Sequence, residues 1–133
     1  MAEIESALVT RLKARPSLVS LVGARIYPLR LPQSPMLPAV TYQRIGGPRE
    51  EGLTADPGFA RQRIQVDTWA LTYASAKAVA HQVRLALERW SDDSASPRVI
   101  DSFIERDTDL DEPDVENYRV SQDYLVIHAE EVA

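Results

Sequence analysis

Arg61-Gln62-Arg63-Ile64-Gln65-Val66-Asp67-Thr68-Trp69-Ala70 passes through Leu71-Thr72 into Tyr73-Ala74-Ser75-Ala76-Lys77-Ala78-Val79-Ala80. The change of period between these runs decides the fold. In the first, Gln62, Ile64, Val66 and Thr68 fall on one side. Arg61, Arg63, Gln65, Asp67 and Trp69 fall on the other, which is the two-residue period of a strand. One side is polar, so the sheet is expected to be antiparallel or mixed and open on that side. In the second run the period lengthens. Ala76, Val79, Ala80, Val83, Leu87 and Trp90 recur at intervals of three and four, which predicts a helix over 73–90 with one buried stripe against the sheet.

Upstream, Ile4, Ala7, Leu8, Arg11 and Leu12 have helical spacing over 3–15, with Glu3 and Glu5 in the first turn, where the helix dipole favours acids. Pro16 ends that helix. Residues 17–22 predict a second, short helix with Ser17 as cap and Gly23 as stop. A short strand over 25–28 is followed by a connector, 28–38, holding four prolines. Ala39 to Ile45 is rich in β-branched and aromatic residues and predicts a strand closed by Gly46-Gly47-Pro48. Residues 46–58 carry four of the five glycines and are expected to form a mobile loop.

Downstream, Ser91 to Pro97 breaks the main helix. Strands are predicted at 99–106 and 118–128, with a second acidic mobile loop at 107–117. Tyr124-Leu125-Val126-Ile127 is apolar on both faces and suits a central strand. The order is α-α-β-β-β-α-β-β. That predicts an α+β fold, an antiparallel or mixed β-sheet with helices packed on one face. The 133 residues fit a single domain over 1–133.

Composition narrows the chemistry. The chain has no cysteine, which excludes disulfides and thiolate metal sites. No apolar run is long enough to span a membrane and the N-terminus has no signal-like pattern, so a protein made and kept in a cytoplasm is expected. The net charge of −5 is unevenly spread. Residues 1–100 hold 13 basic and 9 acidic side chains, and residues 101–133 hold 2 and 11. Such asymmetry either draws copies together head to tail or merely solvates a loop and an edge strand. Arginine outnumbers lysine 13 to 2. That suits fixed interface contacts, and it also follows from genomic base composition.

Motifs for catalysis or ligand binding fail on spacing. Asp107-x-Asp109-x-Asp111 opens like a calcium loop, but Glu112 stands where glycine is required and Tyr118 where the bidentate acid is required. His81 and His128 have no metal-ligand spacing, and His81 has no acid three or four residues away to orient it. Gly46-Gly47-Pro48 lacks the Lys-Ser/Thr and the helix of a phosphate cradle. A sequence pI near 5.0 argues against sequence-specific DNA binding. No catalytic residue, metal or cofactor is expected.

The ordered signals Leu21-Val22-Gly23-Ala24-Arg25-Ile26-Tyr27-Pro28, Leu37-Pro38-Ala39-Val40-Thr41-Tyr42-Gln43 and Arg63-Ile64-Gln65-Val66-Asp67-Thr68-Trp69-Ala70, with Tyr73 and Ala76 following, resemble the phage tail-completion (tail-to-head joining, tail terminator-like minor tail) family. The resemblance covers residues 5 to about 90 and is loose beyond. It implies a non-enzymatic virion protein that caps the tail tube and joins it to the head as a ring-forming subunit, usually a hexamer. It implies as partners further copies of itself, the major tail protein and a head-connector protein. DNA would only pass through the lumen, and no membrane is involved. Another head–tail connector role (stopper or adaptor) or an unrelated small binding module are the competing readings. Asp67 is expected beside Arg63 on the polar strand face, and Trp69 and Tyr73 are expected to seal the end of the core. Candidate inter-subunit, tail or head contacts are Arg49, Glu50, Glu51, Arg61, Arg63, Asp67, Asp107, Asp109 and Asp111. The acidic 101–116 segment could line the lumen and repel phosphate, or face a basic patch on a neighbouring subunit.

Overall fold

The computed structural model describes residues 3–46, 58–112 and 117–129. The elements are α1 (Ile4–Lys13), α2 (Pro16–Val22), β1 (Ile26–Pro28), β2 (Ala39–Arg44), β3 (Phe59–Ala70), α3 (Tyr73–Leu87), β4 (Val99–Glu112) and β5 (Asn117–Ala129). The strands form one mixed sheet in the order β1-β2-β3-β5-β4. Only β1 and β2 run parallel; the β2–β3, β3–β5 and β5–β4 pairs are antiparallel. The predicted α+β class and element order hold. β5 lies between β3 and β4, the interior place its two apolar faces required.

All three helices cover one face. Ile64 and Val66 of β3 and Tyr124 and Val126 of β5 meet Val79, Val83 and Leu87 of α3, with Leu8 and Leu12 of α1 and Leu18 and Val22 of α2 closing the core. Each of these side chains is fully buried. Burying a large aliphatic side chain contributes about 1.5–3 kcal/mol, so the helix layer is held chiefly by this stripe. Two polar ties fix α1 and the segment after it on α3. Arg11 Nε donates to the Ala86 carbonyl at 2.8 Å, and Arg15 Nε donates to Gln82 Oε1 at 2.8 Å.

Local chemistry sets the ends of the elements. Thr72 caps α3, its Oγ1 accepting from the Ser75 N–H at 3.1 Å. The helix stops at Leu87, three residues before the periodicity suggested. Arg89 turns to φ +58° and its N–H bonds Ser102 O at 2.7 Å, so pairing with β4 wins over helix continuation. Trp90 stays in the core although it has left the helix. For α2 the boundary residue is Arg15, not Ser17. Pro16 takes the first helical position, where its missing N–H costs nothing.

The expected loop at 107–117 is overturned over its first half. Asp107 to Glu112 continue β4, paired with Gln122 to Asn117 of β5. Low strand propensity for aspartate gives way to tertiary pairing, and a charged edge strand also resists unwanted strand addition. Of the expected loop at 46–58, residues 47–57 lie outside the described residues, as do 113–116 of the acidic turn.

Candidate functional site

The face of the sheet away from the helices carries the polar side of β3. Asp67 is opposite Ser121, Gln65 opposite Asp123 and Arg63 opposite Leu125. Arg63 Nε donates to Glu105 Oε1 at 2.7 Å, reaching across β5 to the edge strand. That hydrogen bond holds the Arg63 guanidinium above its ordinary pKa, with the charge of Glu105 adding to it. Asp67 lies 3.8 Å from Arg119 Nη1 and is nearly buried, at 8% exposure. The Arg119 guanidinium stands 5.0 Å from the Trp69 ring centroid, and the Trp69 indole N–H donates to Thr41 Oγ1 at 3.0 Å. Thr41, Asp67, Trp69 and Arg119 therefore tie β2, β3 and β5 together across the open face.

This corrects two sequence expectations. Asp67 pairs with Arg119, not with Arg63, because residues four apart on one strand stand about 13 Å apart while cross-strand neighbours stand about 5 Å apart. Trp69 belongs to the open face and does not seal the core. Tyr73 is 49% exposed and lies on the surface at the start of α3.

Tyr73 belongs to a second cluster. Its hydroxyl donates to Asp109 Oδ2 at 2.6 Å, and Lys77 Nζ donates to Asp109 Oδ1 at 3.1 Å. Tyr118 completes the group with an edge-to-face contact to Tyr73, centroids 6.1 Å apart. The Tyr73 hydrogen bond, followed by that of Lys77, holds the Asp109 carboxyl below its ordinary pKa. The same contacts hold Tyr73 and Lys77 above theirs. Asp107, Asp109 and Asp111 share the helix-side face of β4, opposite Gln122, Val120 and Tyr118. Among the described residues the side chains of Asp107 and Asp111 form no hydrogen bond or ion pair, although the charge of Asp107 acts on Lys77. Arg61 is exposed on β3, opposite Ile127. Arg49, Glu50 and Glu51 lie outside the described residues. Sequence reasoning missed Arg119, Tyr118 and Lys77. The spacing of Tyr73 and Lys77, one helical turn apart, was the signal available for one of these contacts.

A shallow cleft of about 180 Å³ lies between α3 and β4, lined by Lys77, Ala80, His81, Arg84, Asp107 and Gln122. It is smaller than the roughly 300–1,000 Å³ of ordinary ligand pockets. Among the described residues, no group of three or more His, Asp or Glu is placed to hold a metal ion. The conspicuous chemistry is thus on surfaces: a polar sheet face and two sheet edges of opposite charge.

The sequence of the tail completion protein gp17 family matches residues 6–129. The chain belongs to that family. As a tail completion protein it is a structural protein of the phage tail, and its place is the virion tail. Its fold is similar to that of a chain from the virion of a native gene transfer agent particle, with a TM-score of 0.76 at 17% identity over 96% of this chain and 95% of that one. No curated protein matches it in sequence.

Proposed function

We propose that this tail completion protein caps the tail tube and joins it to the head, acting as a ring-forming subunit and not as an enzyme. The observation that carries this reading is the family match over residues 6–129, reinforced by a shared fold with a chain of a phage-like virion particle. The surface agrees with it. Some charged side chains hold strands in register, as in Arg63–Glu105 and Asp67–Arg119, and others are exposed at the two sheet edges. Repeated around a ring, weak exposed charge contacts fix orientation more than affinity. The partners are further copies of the chain, six in the usual family ring, together with the major tail protein and a head-connector protein. DNA only passes through the lumen.

Particles produced without the chain test the proposal. Filled heads and separate, overlong or unjoined tail tubes are expected, with joining restored by adding the purified protein. Fully joined, infectious particles in its absence would refute it.

A further inference from the structure

The two edges of the sheet carry opposite charge. Residues 6–46, which hold α1 beyond its first two residues (Glu5 is the second) together with α2, β1 and β2, contain no acidic residue and six basic ones: Arg11, Lys13 and Arg15 in the helix layer, and Arg25, Arg30 and Arg44 on or beside β1 and β2. Among the described residues, none of the six forms an ion pair. Arg11 and Arg25 donate to main-chain carbonyls, and Arg15 and Arg44 donate to glutamine side chains. Lys13 and Arg30 are exposed. The opposite edge, β4, carries Asp101, Glu105, Asp107, Asp109, Asp111 and Glu112 against a single Arg106. Three of these acids are matched within the chain, by Arg89, Arg63 and Lys77. Among the described residues Asp107 and Asp111 form no ion pair, although the charge of Asp107 acts on Lys77.

The unmatched acids coincide with the free part of that edge. The first half of β4 is covered by the chain following α3. Arg89 N–H bonds Ser102 O, Glu88 Oε1 accepts from Ile104 N–H, and Asp92 bridges to Val99. Among the described residues no further strand or turn pairs with the outer main chain of 107–111, while Tyr73 and Lys77 of α3 rest on Asp109 from the helix side. This stretch also lies level with β1. The ladder runs Ile26–Val40–Thr68–Val120–Asp109 in one row and Pro28–Tyr42–Val66–Gln122–Asp107 two rows on. Basic and acidic edges therefore stand at the same height, about 19 Å apart across four strand spacings. Each edge has exposed apolar surface beside its charges: Leu29 and Met36 on the β1 side, Tyr73 and Tyr118 on the β4 side.

We propose that copies of this chain associate head to tail, with the basic β1 edge of one copy seated against residues 107–111 of β4 in the next. This rests on the ring-forming reading above and names its interface. A surface that meets a different surface on an identical neighbour is heterologous, and such contacts generate rings when the rotation closes. The contact is made by side chains and is not an extension of the sheet. Pro28 has no N–H and the Ile26 N–H is already bonded to Ala24 O, so β1 offers no donors for a further strand. Opposite charges steer the approach and exclude the head-to-head arrangement, and high salt weakens it.

The test uses full-length protein and purified tail tubes, with protein retained on sedimented tubes as the readout and circular dichroism melts as the folding control. The variants are Asp107→Lys/Asp111→Lys, Arg30→Glu/Arg44→Glu, and all four changes together. Each pair alone is expected to melt like the wild type but to lose tenfold or more in retention, and the fourfold variant is expected to recover it. Wild-type retention by either pair, or failure of a folded fourfold variant to recover, would overturn the interface while leaving the ring reading intact. Normal assembly by the aspartate pair with altered DNA release would assign the acidic edge to the lumen and also overturn it. If the wild type binds tubes without forming a ring, the ring reading itself fails.

Discussion

Replacing Arg11 by methionine isolates the tie between the N-terminal helix and α3. Arg11 Nε sits 2.8 Å from the Ala86 carbonyl, in the last turn of α3 and 75 residues away in sequence. A hydrogen bond from a charged donor contributes about 1.5–3 kcal/mol, and a cation at a helix C-terminus adds about 0.3–1 kcal/mol through the dipole. Methionine keeps helix propensity and much of the aliphatic stem, so little is lost from packing. The site is only partly buried, and water replaces part of the donor, which places the expected loss at about 2 kcal/mol. For a domain of this size each kcal/mol lowers the melting midpoint by about 3–5 °C, so a drop of about 6–10 °C is expected by thermal circular dichroism. Lys13→Met, on the same helix but exposed, is the reference and should change stability by less than about 0.5 kcal/mol. Equal melting of the two variants would refute the claim that Arg11 clamps α1 to the helix layer.

Three further outcomes follow from the buried and clustered groups. Tyr124→Phe is expected to be neutral or stabilising by up to about 1 kcal/mol, because the fully buried hydroxyl has no hydrogen-bond partner among the described residues and pays desolvation without return. Burial also drives its ionisation well above the usual tyrosine range, so spectrophotometric titration should show it silent until the protein unfolds. Thr72→Ala should cost about 1 kcal/mol in urea unfolding through loss of the α3 cap. The Asp109 carboxyl, held below its ordinary value of about 3.8 by Tyr73 and then Lys77, contributes stability that is present above that value and is lost as pH falls through the lower folded-state value. The gap in melting midpoint between the wild type and Asp109→Asn should therefore be open at pH 7 and narrow as pH falls below about 3.8, and a gap unchanged with pH would contradict the assignment.

The core of this fold was legible in the sequence because its two periods are clean. Ile64 and Val66 on alternate positions, and Val79, Val83 and Leu87 at helical spacing, can be buried in only one arrangement, helix on sheet. The two apolar faces of residues 124–127 likewise fixed β5 inside the sheet. What the sequence hid was decided by contacts between distant residues. Asp107 to Asp111 read as a solvated loop because aspartate disfavours strands, yet pairing with β5 and the Tyr73 and Lys77 contacts to Asp109 hold them extended. The partner of Asp67 was misassigned because Arg119, 52 positions later, becomes its neighbour only through the β3–β5 register. The acidic C-terminal quarter was visible as a number. That its unmatched charges occupy the uncovered half of one sheet edge, level with the basic edge, required the ladder.

Cryo-electron microscopy of whole virions carrying this chain tests the central claim most directly. The account predicts a single closed ring of the chain at the head-proximal end of the tail tube, with adjacent copies in contact through their sheet edges. Density for the chain dispersed along the tube, or confined to the distal tip, would contradict it.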